Sequence, residues 1–217
     1  FMTKSTPKPR RYRGASGDQR RAERRQQLLD AGLSTIGEVG YQACSVRSIC
    51  AAAGLTERYF YESFANKEAL LAEVYQAQTN YLKKTMLAAF NHAERNSQAF
   101  AQAGLHAFFD TLHQNPAVAR LLLFEILGVS DTIDRLYYEA MEEFAVLIRS
   151  LASSLGLADI VEMPDQDIIY AGLVGAVIQI ARRWALTGYK DSVNAVISSS
   201  LFLFVATANY TEQTKNR

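Results

Sequence analysis

The sequence predicts an all-α protein: an N-terminal three-helix head containing a helix-turn-helix, followed by a larger helical domain. Apolar residues recur at spacings of three and four along the chain, and no stretch alternates apolar and polar as a half-buried strand would. Gly, Asn and Pro punctuate the pattern where helices should end. With 217 residues, 49% of them hydrophobic and 21% charged, the chain can build a full core, which excludes a disordered or disulfide-built protein.

Net charge is only +1, yet it is unevenly spread. Residues 1 to 25 carry Lys4, Lys8, Arg10, Arg11, Arg13, Arg20, Arg21, Arg24 and Arg25 against Asp18 and Glu23, a local charge of +7 that leaves −6 for the remainder. A basic leading segment on an acidic body is the asymmetry expected when one end meets a polyanion. Residues 1 to 17 also mix Pro7, Pro9, Gly14 and Gly17 with basic residues, and so read as a disordered arm in which Phe1, ahead of Met2, is a cloning remnant. No apolar signal core opens the chain, which points to the cytoplasm. Cys44 and Cys50 lack the paired spacing of a zinc site and read as small buried residues.

From Asp18, which can cap a helix, Leu29, Leu33 and Ile36 mark an apolar seam that Gly40 is placed to end. Ser45 offers its hydroxyl to the free amides of a second, short helix with Val46, Ile49 and Ala53 facing inward, and Gly54 stops it. A third helix follows at once, with Thr56 as N-cap and Phe60 and Phe64 on one face. Its other face carries Glu57, Arg58, Tyr59 and Tyr61. Two short helices joined at a Gly turn make a helix-turn-helix, whose second helix projects side chains into the DNA major groove. Arg47, Tyr61 and Lys67 are the expected phosphate contacts, and Arg58, Tyr59 and Glu57 the expected base readers. Ser45 and Thr56, at the starts of the two helices, complete the candidate DNA-binding set, and the arm is expected to enter the adjacent minor groove.

The segment SVRSICAAAGLTERYFYESFANKEALL, residues 45 to 71, resembles the DNA-binding segment of TetR-family transcriptional regulators. The matching residues are Ser45, Arg47, Ala52-Ala53-Gly54, Thr56, Tyr61, Phe64, Lys67-Glu68 and Leu70-Leu71. Two departures stand out: Arg58 where a small residue is frequent, and Glu62-Ser63 where a His or Tyr pair is frequent. Glu62 cannot donate to phosphate, so it must face away from the backbone, meet a basic neighbour, or read a cytosine amino group. The resemblance implies a homodimeric repressor whose C-terminal domain binds a small effector that alters the spacing of the two heads.

Residues 18 to 65 are thus expected to form the head and residues 66 to 217 the effector-binding and dimerisation domain, with breaks near Arg95-Asn96, Asn115-Pro116, Gly128 to Ser130, Gly156 to Pro164 and Thr187-Gly188. The last two helices are apolar on more than one face and rich in small residues, so a second subunit is expected against Gly172, Gly175, Ala176, Ser199 and Phe202. The 14-residue run at 168 to 181 is too short for a membrane span of about 20 residues. Phe90, Phe108, Phe109, Leu112, Phe124, Tyr137, Met141, Phe144 and Trp184 form an aromatic and aliphatic set that is either a pocket wall or plain core.

Other constellations carry less. His106, Asp110 and His113 share one helix face but read as a solvated side rather than a metal site, and Glu125 within LLLFEILG is expected to be exposed. Arg183 beside Trp184 reads either as a contact for an acidic ligand or as a surface ion pair. No phosphate loop, Ser-His-Asp pattern or zinc motif appears, so neither an enzyme nor a cofactor is expected. The competing reading is a helical small-molecule carrier or sensor that acts through a protein partner without sequence-specific DNA binding.

Overall fold

The computed structural model describes residues 17–156 and 165–215, and all of its regular elements are helical. They are α1 (Gly17–Val39), α2 (Val46–Ala53), α3 (Glu57–Ser63), α4 (Lys67–Phe90), α5 (Ser97–Gln114), α6 (Pro116–Arg120) with a π-helical turn at Leu121–Glu125, α7 (Asp131–Ser154), α8 (Gln166–Leu186) and α9 (Val193–Lys215). The arm of residues 1–16 and most of the break expected before Pro164 lie outside the described residues.

Local chemistry explains most helix ends. Gly40 and Gly54 adopt φ of 87° and 66°, a region that only glycine enters without strain, and they stop α1 and α2. Ser45 and Ser48 form a reciprocal capping box, with Ser48 N–H donating to Ser45 Oγ at 3.0 Å and Ser45 N–H to Ser48 Oγ at 2.9 Å. Asn66, Asn96 and Ser130 cap α4, α5 and α7 through their side-chain oxygens. Thr56 departs from expectation. It occupies the N-cap position of α3, but its hydroxyl makes no capping bond. The turn is held instead by Tyr59 N–H donating to Thr56 O at 3.0 Å and by burial of Phe60.

Phe60, Phe64, Ile36 and Ile49 are buried together in the head, and Leu70 and Leu71 of α4 carry that core into the body without a break. Leu28, outside the expected seam, is fully buried, whereas Leu29 and Leu33 are only half-buried. Behind the head, α4, α5, α7, α8 and α9 form a bundle, while α6 and the π turn pack against α1. That contact is close: a Cβ at Gly37 would lie 2.3 Å from the Ala117 methyl, so only glycine permits the approach.

By length and mean hydropathy, α8 (Gln166–Leu186, 1.2) and α9 (Val193–Thr211, 1.4) could each cross a membrane. Here α8 and α9 pack on each other and on α5 and α7 as elements of the bundle. The chain nevertheless leaves Ile168, Leu186, Phe202 and Tyr210 exposed along them.

Candidate nucleic-acid interface and body cavity

The surface of α2 and α3 is built by anchoring one face and freeing the other. Phe60 and Phe64 lie in the core with ring centroids 5.6 Å apart, which turns Glu57, Arg58 and Tyr61 outward. Arg58 is 84% exposed, and its Nε donates to Glu62 Oε1 at 3.0 Å. Glu62 therefore meets a basic neighbour, the second of the three roles open to it. The bond uses Nε and leaves the two terminal nitrogens free, the pair that reads guanine O6 and N7.

Tyr59 is half-buried beneath the Arg24 guanidinium, whose carbon lies 4.4 Å from the ring centroid. Arg25 covers the Phe64 ring at 4.8 Å and pairs with Glu73 of α4. Arg24 and Arg25 were legible only as charge. Their role in seating α3 depends on ring faces that no sequence spacing displays. Arg47 and Ser45 are exposed, and Arg47 has no ion-pair partner among the described residues.

Lys67 is placed differently from a free phosphate ligand. Its Nζ donates to Tyr41 O at 2.8 Å and Cys44 O at 2.9 Å and sits 4.1 Å from the Tyr41 ring centroid. Two of its three protons are thus committed to the turn between α1 and α2. Burial pushes the Cys44 thiol up, while the neighbouring Lys67 ammonium pulls it partly back.

Glu125 corrects the expectation of exposure. Only 17% of its side chain is accessible; Oε1 accepts from Arg120 Nε at 2.8 Å and Oε2 from the Tyr41 N–H at 2.7 Å. Arg120 in turn donates from Nη1 to Glu38 O at 2.7 Å and Gly37 O at 3.3 Å, the last carbonyls of α1. An otherwise costly carboxylate becomes a clasp between the π turn and the C-terminus of α1. Arg182 donates to Leu123 O at 2.8 Å, satisfying a carbonyl of the same turn.

Between α4, α5, α7, α8 and α9 lies a cavity of about 140 Å³. Of the nine residues expected at a pocket, Phe90, Phe108, Met141 and Phe144 line it. Phe109, Leu112 and Tyr137 are buried outside the lining, and Phe124 lies at the surface. Trp184 is buried in an aromatic cluster: Phe109 meets it edge-on at 5.8 Å, His113 stacks on it at 5.5 Å, and Tyr189 meets it at 4.8 Å. His113 is thereby separated from the His106–Asp110 pair, and no group of three metal-ligating side chains occurs among the described residues. The cavity also includes Tyr75 and Thr79 of α4, which the sequence reading did not single out.

These features define an all-helical, two-part protein with a helix-turn-helix head and a cavity-bearing helical body. Residues 28–74 match the family model described as bacterial regulatory proteins, tetR family, and the chain has the fold of TetR-family transcriptional regulators. It superposes with a TM-score of 0.74 on the fatty acid degradation regulator FadR from Bacillus halodurans, at 20% identity, covering 83% of this chain and 94% of that one. The regulator FadR from Bacillus subtilis, solved in complex with stearoyl-CoA, gives 0.74 at 18% identity, covering 84% and 98%. A TetR-like transcriptional regulator from Rhodococcus sp. RHA1 gives 0.67 at 20% identity, covering 84% and 94%. No curated protein matches the chain in sequence.

Proposed function

We propose that the chain is a homodimeric one-component repressor that acts in the cytoplasm, binds a near-palindromic operator and is released by a small apolar or amphipathic effector. The observation that carries this reading is the path of α4. Its first residue, Lys67, grips the turn between α1 and α2 of the head, and its later residues Tyr75, Thr79, Leu82, Met86 and Phe90 wall the cavity. A ligand that prefers one placement of α4 therefore biases the placement of the head, and it weakens DNA binding by the same factor by which DNA weakens ligand binding.

The stearoyl-CoA complex of the Bacillus subtilis regulator supports an effector with an aliphatic portion. Exposed apolar residues on α8 and α9 support the two-fold interface, because a second copy of the same helices would cover Phe202, Gly172, Gly175, Ala176 and Ser199. Head spacing in that dimer sets the half-site separation in successive major grooves. On DNA, Arg47 and Tyr61 contact phosphates, Lys67 adds its one free proton, and Arg58, Tyr59 and Glu57 face base edges.

Selection of bound duplexes from a random pool, followed by salt titration of the enriched site, tests the reading. An enriched palindrome is expected. Arg58→Ala should then relax preference at one base pair by about 1–3 kcal/mol. Enrichment of nothing, with weak binding that vanishes in salt, would overturn operator recognition and leave a carrier with a basic surface.

A further inference from the structure

The cavity wall contains no Asp, Glu, Lys, Arg or His side chain among the described residues. A charge brought inside would lose its hydration without gaining a counter-charge, so both anions and cations are penalised. The lining is also long. Tyr75 and Phe90 stand 15 residues apart on α4, about 22 Å along its axis at 1.5 Å per residue. The volume of about 140 Å³ is close to the engineered cavity of about 150 Å³ that admits benzene. A thin molecule of roughly six to nine non-hydrogen atoms fits these dimensions better than a bulky one.

One polar group in the wall is unspent. The Tyr75 side chain is 1% exposed, and its hydroxyl has no hydrogen-bond partner among the described residues. The residue stands where the cavity adjoins a polar depression formed by Gln76, Asn80, Lys83, Glu139 and Glu143. On that side Glu143 is paired with Lys83, and the Tyr75 hydroxyl bonds neither it nor Gln76, Asn80 or Glu139. Burial, with Tyr137 and Glu143 nearby, holds the phenol protonated well above its ordinary range, so it remains a donor. Thr79, one turn on, spends its own proton on the Tyr75 and Gln76 carbonyls and cannot compete for an acceptor. A buried donor without a partner is costly, and supplying an acceptor recovers that cost.

We infer that the cavity selects an uncharged, elongated apolar molecule with one hydrogen-bond acceptor near its end, which the Tyr75 hydroxyl binds. This rests on the cavity being the effector site. It excludes a free carboxylate or an ammonium from the interior, and a highly charged headgroup such as that of a CoA ester must stay outside.

The test uses the full-length protein and four probes of matched length, 2-octanone, n-octane, octanoate and octylammonium, with affinity read from the rise in melting temperature at increasing probe concentration. The expected order places 2-octanone at least tenfold tighter than either ion. Tyr75→Phe should weaken 2-octanone roughly tenfold and leave n-octane within twofold. The carbonyl stretch of bound 2-octanone gives a second readout that needs no variant: it should fall in frequency in the wild type, as a hydrogen-bonded carbonyl does. Octanoate or octylammonium binding as tightly as the ketone would overturn the uncharged class, and an unshifted carbonyl stretch would overturn the role of Tyr75. In both cases the effector reading survives. Failure of all four probes to raise the melting temperature would overturn both.

Discussion

Removing the carboxylate of Glu125 tests whether the clasp at the end of α1 holds the head to the body. Glu125→Ala deletes the acceptor of two bonds at once, leaving the Tyr41 N–H and the Arg120 Nε without it. Breaking a fully buried ion pair costs about 3–5 kcal/mol, and an exposed pair is worth about 0–1 kcal/mol. With Glu125 17% and Arg120 38% exposed, the site falls between these limits. Arg120 also keeps its bonds to Glu38 O and Gly37 O, so a loss of about 2 kcal/mol is expected. For a chain of 217 residues that is a fall in Tm of about 4–8 °C. Glu125→Gln keeps one oxygen for the Tyr41 N–H and should lose about half as much. Differential scanning calorimetry of the three proteins measures this directly. A Glu125→Ala melting temperature within about 1 °C of wild type would show that the clasp is solvated in solution, and the reasoning would fail. Loosening the clasp should also weaken binding to the proposed operator, even though Glu125 lies outside the proposed DNA-binding surface of α2 and α3.

Three further outcomes follow from other contacts. Gly37→Ala places a methyl 2.3 Å from the Ala117 Cβ and 2.6 Å from its Cα, and should cost about 1–3 kcal/mol in thermal denaturation because backbone must move. Ser45→Ala breaks the capping box of α2 and should cost about 1 kcal/mol, whereas Thr56→Ala, which loses no capping bond, should change the melting temperature little. Phe202 is 71% exposed in the single chain, so Phe202→Arg should convert the proposed dimer to a monomer in sedimentation at micromolar concentration while leaving far-ultraviolet circular dichroism unchanged. An unaltered dimer would remove Phe202 from the interface.

What the sequence displayed, and what it hid, divides by the distance between interacting groups. Helix stops at Gly40 and Gly54, the serine cap at residue 45 and the paired phenylalanines of α3 depend on neighbours within about four residues, so composition and spacing reveal them. Lys67 bonds carbonyls 26 and 23 residues away, and Glu125 bonds an amide 84 residues away. Their residue types announced a charge, but only the fold supplies the partners that make one a tether to the α1–α2 turn and the other, expected at the surface, a clasp. The pocket shows the same limit in another form. Phe108 and Phe109 are adjacent and both buried, yet about 100° of helical rotation puts the first against the cavity and the second against Trp184. Where a helix is apolar on both sides, hydrophobicity cannot tell the face that fills space from the face that leaves it empty. Tyr75 was missed for the related reason that its ring continues the apolar seam of α4, while the missing partner of its hydroxyl appears only once α5, α7, α8 and α9 have closed around it.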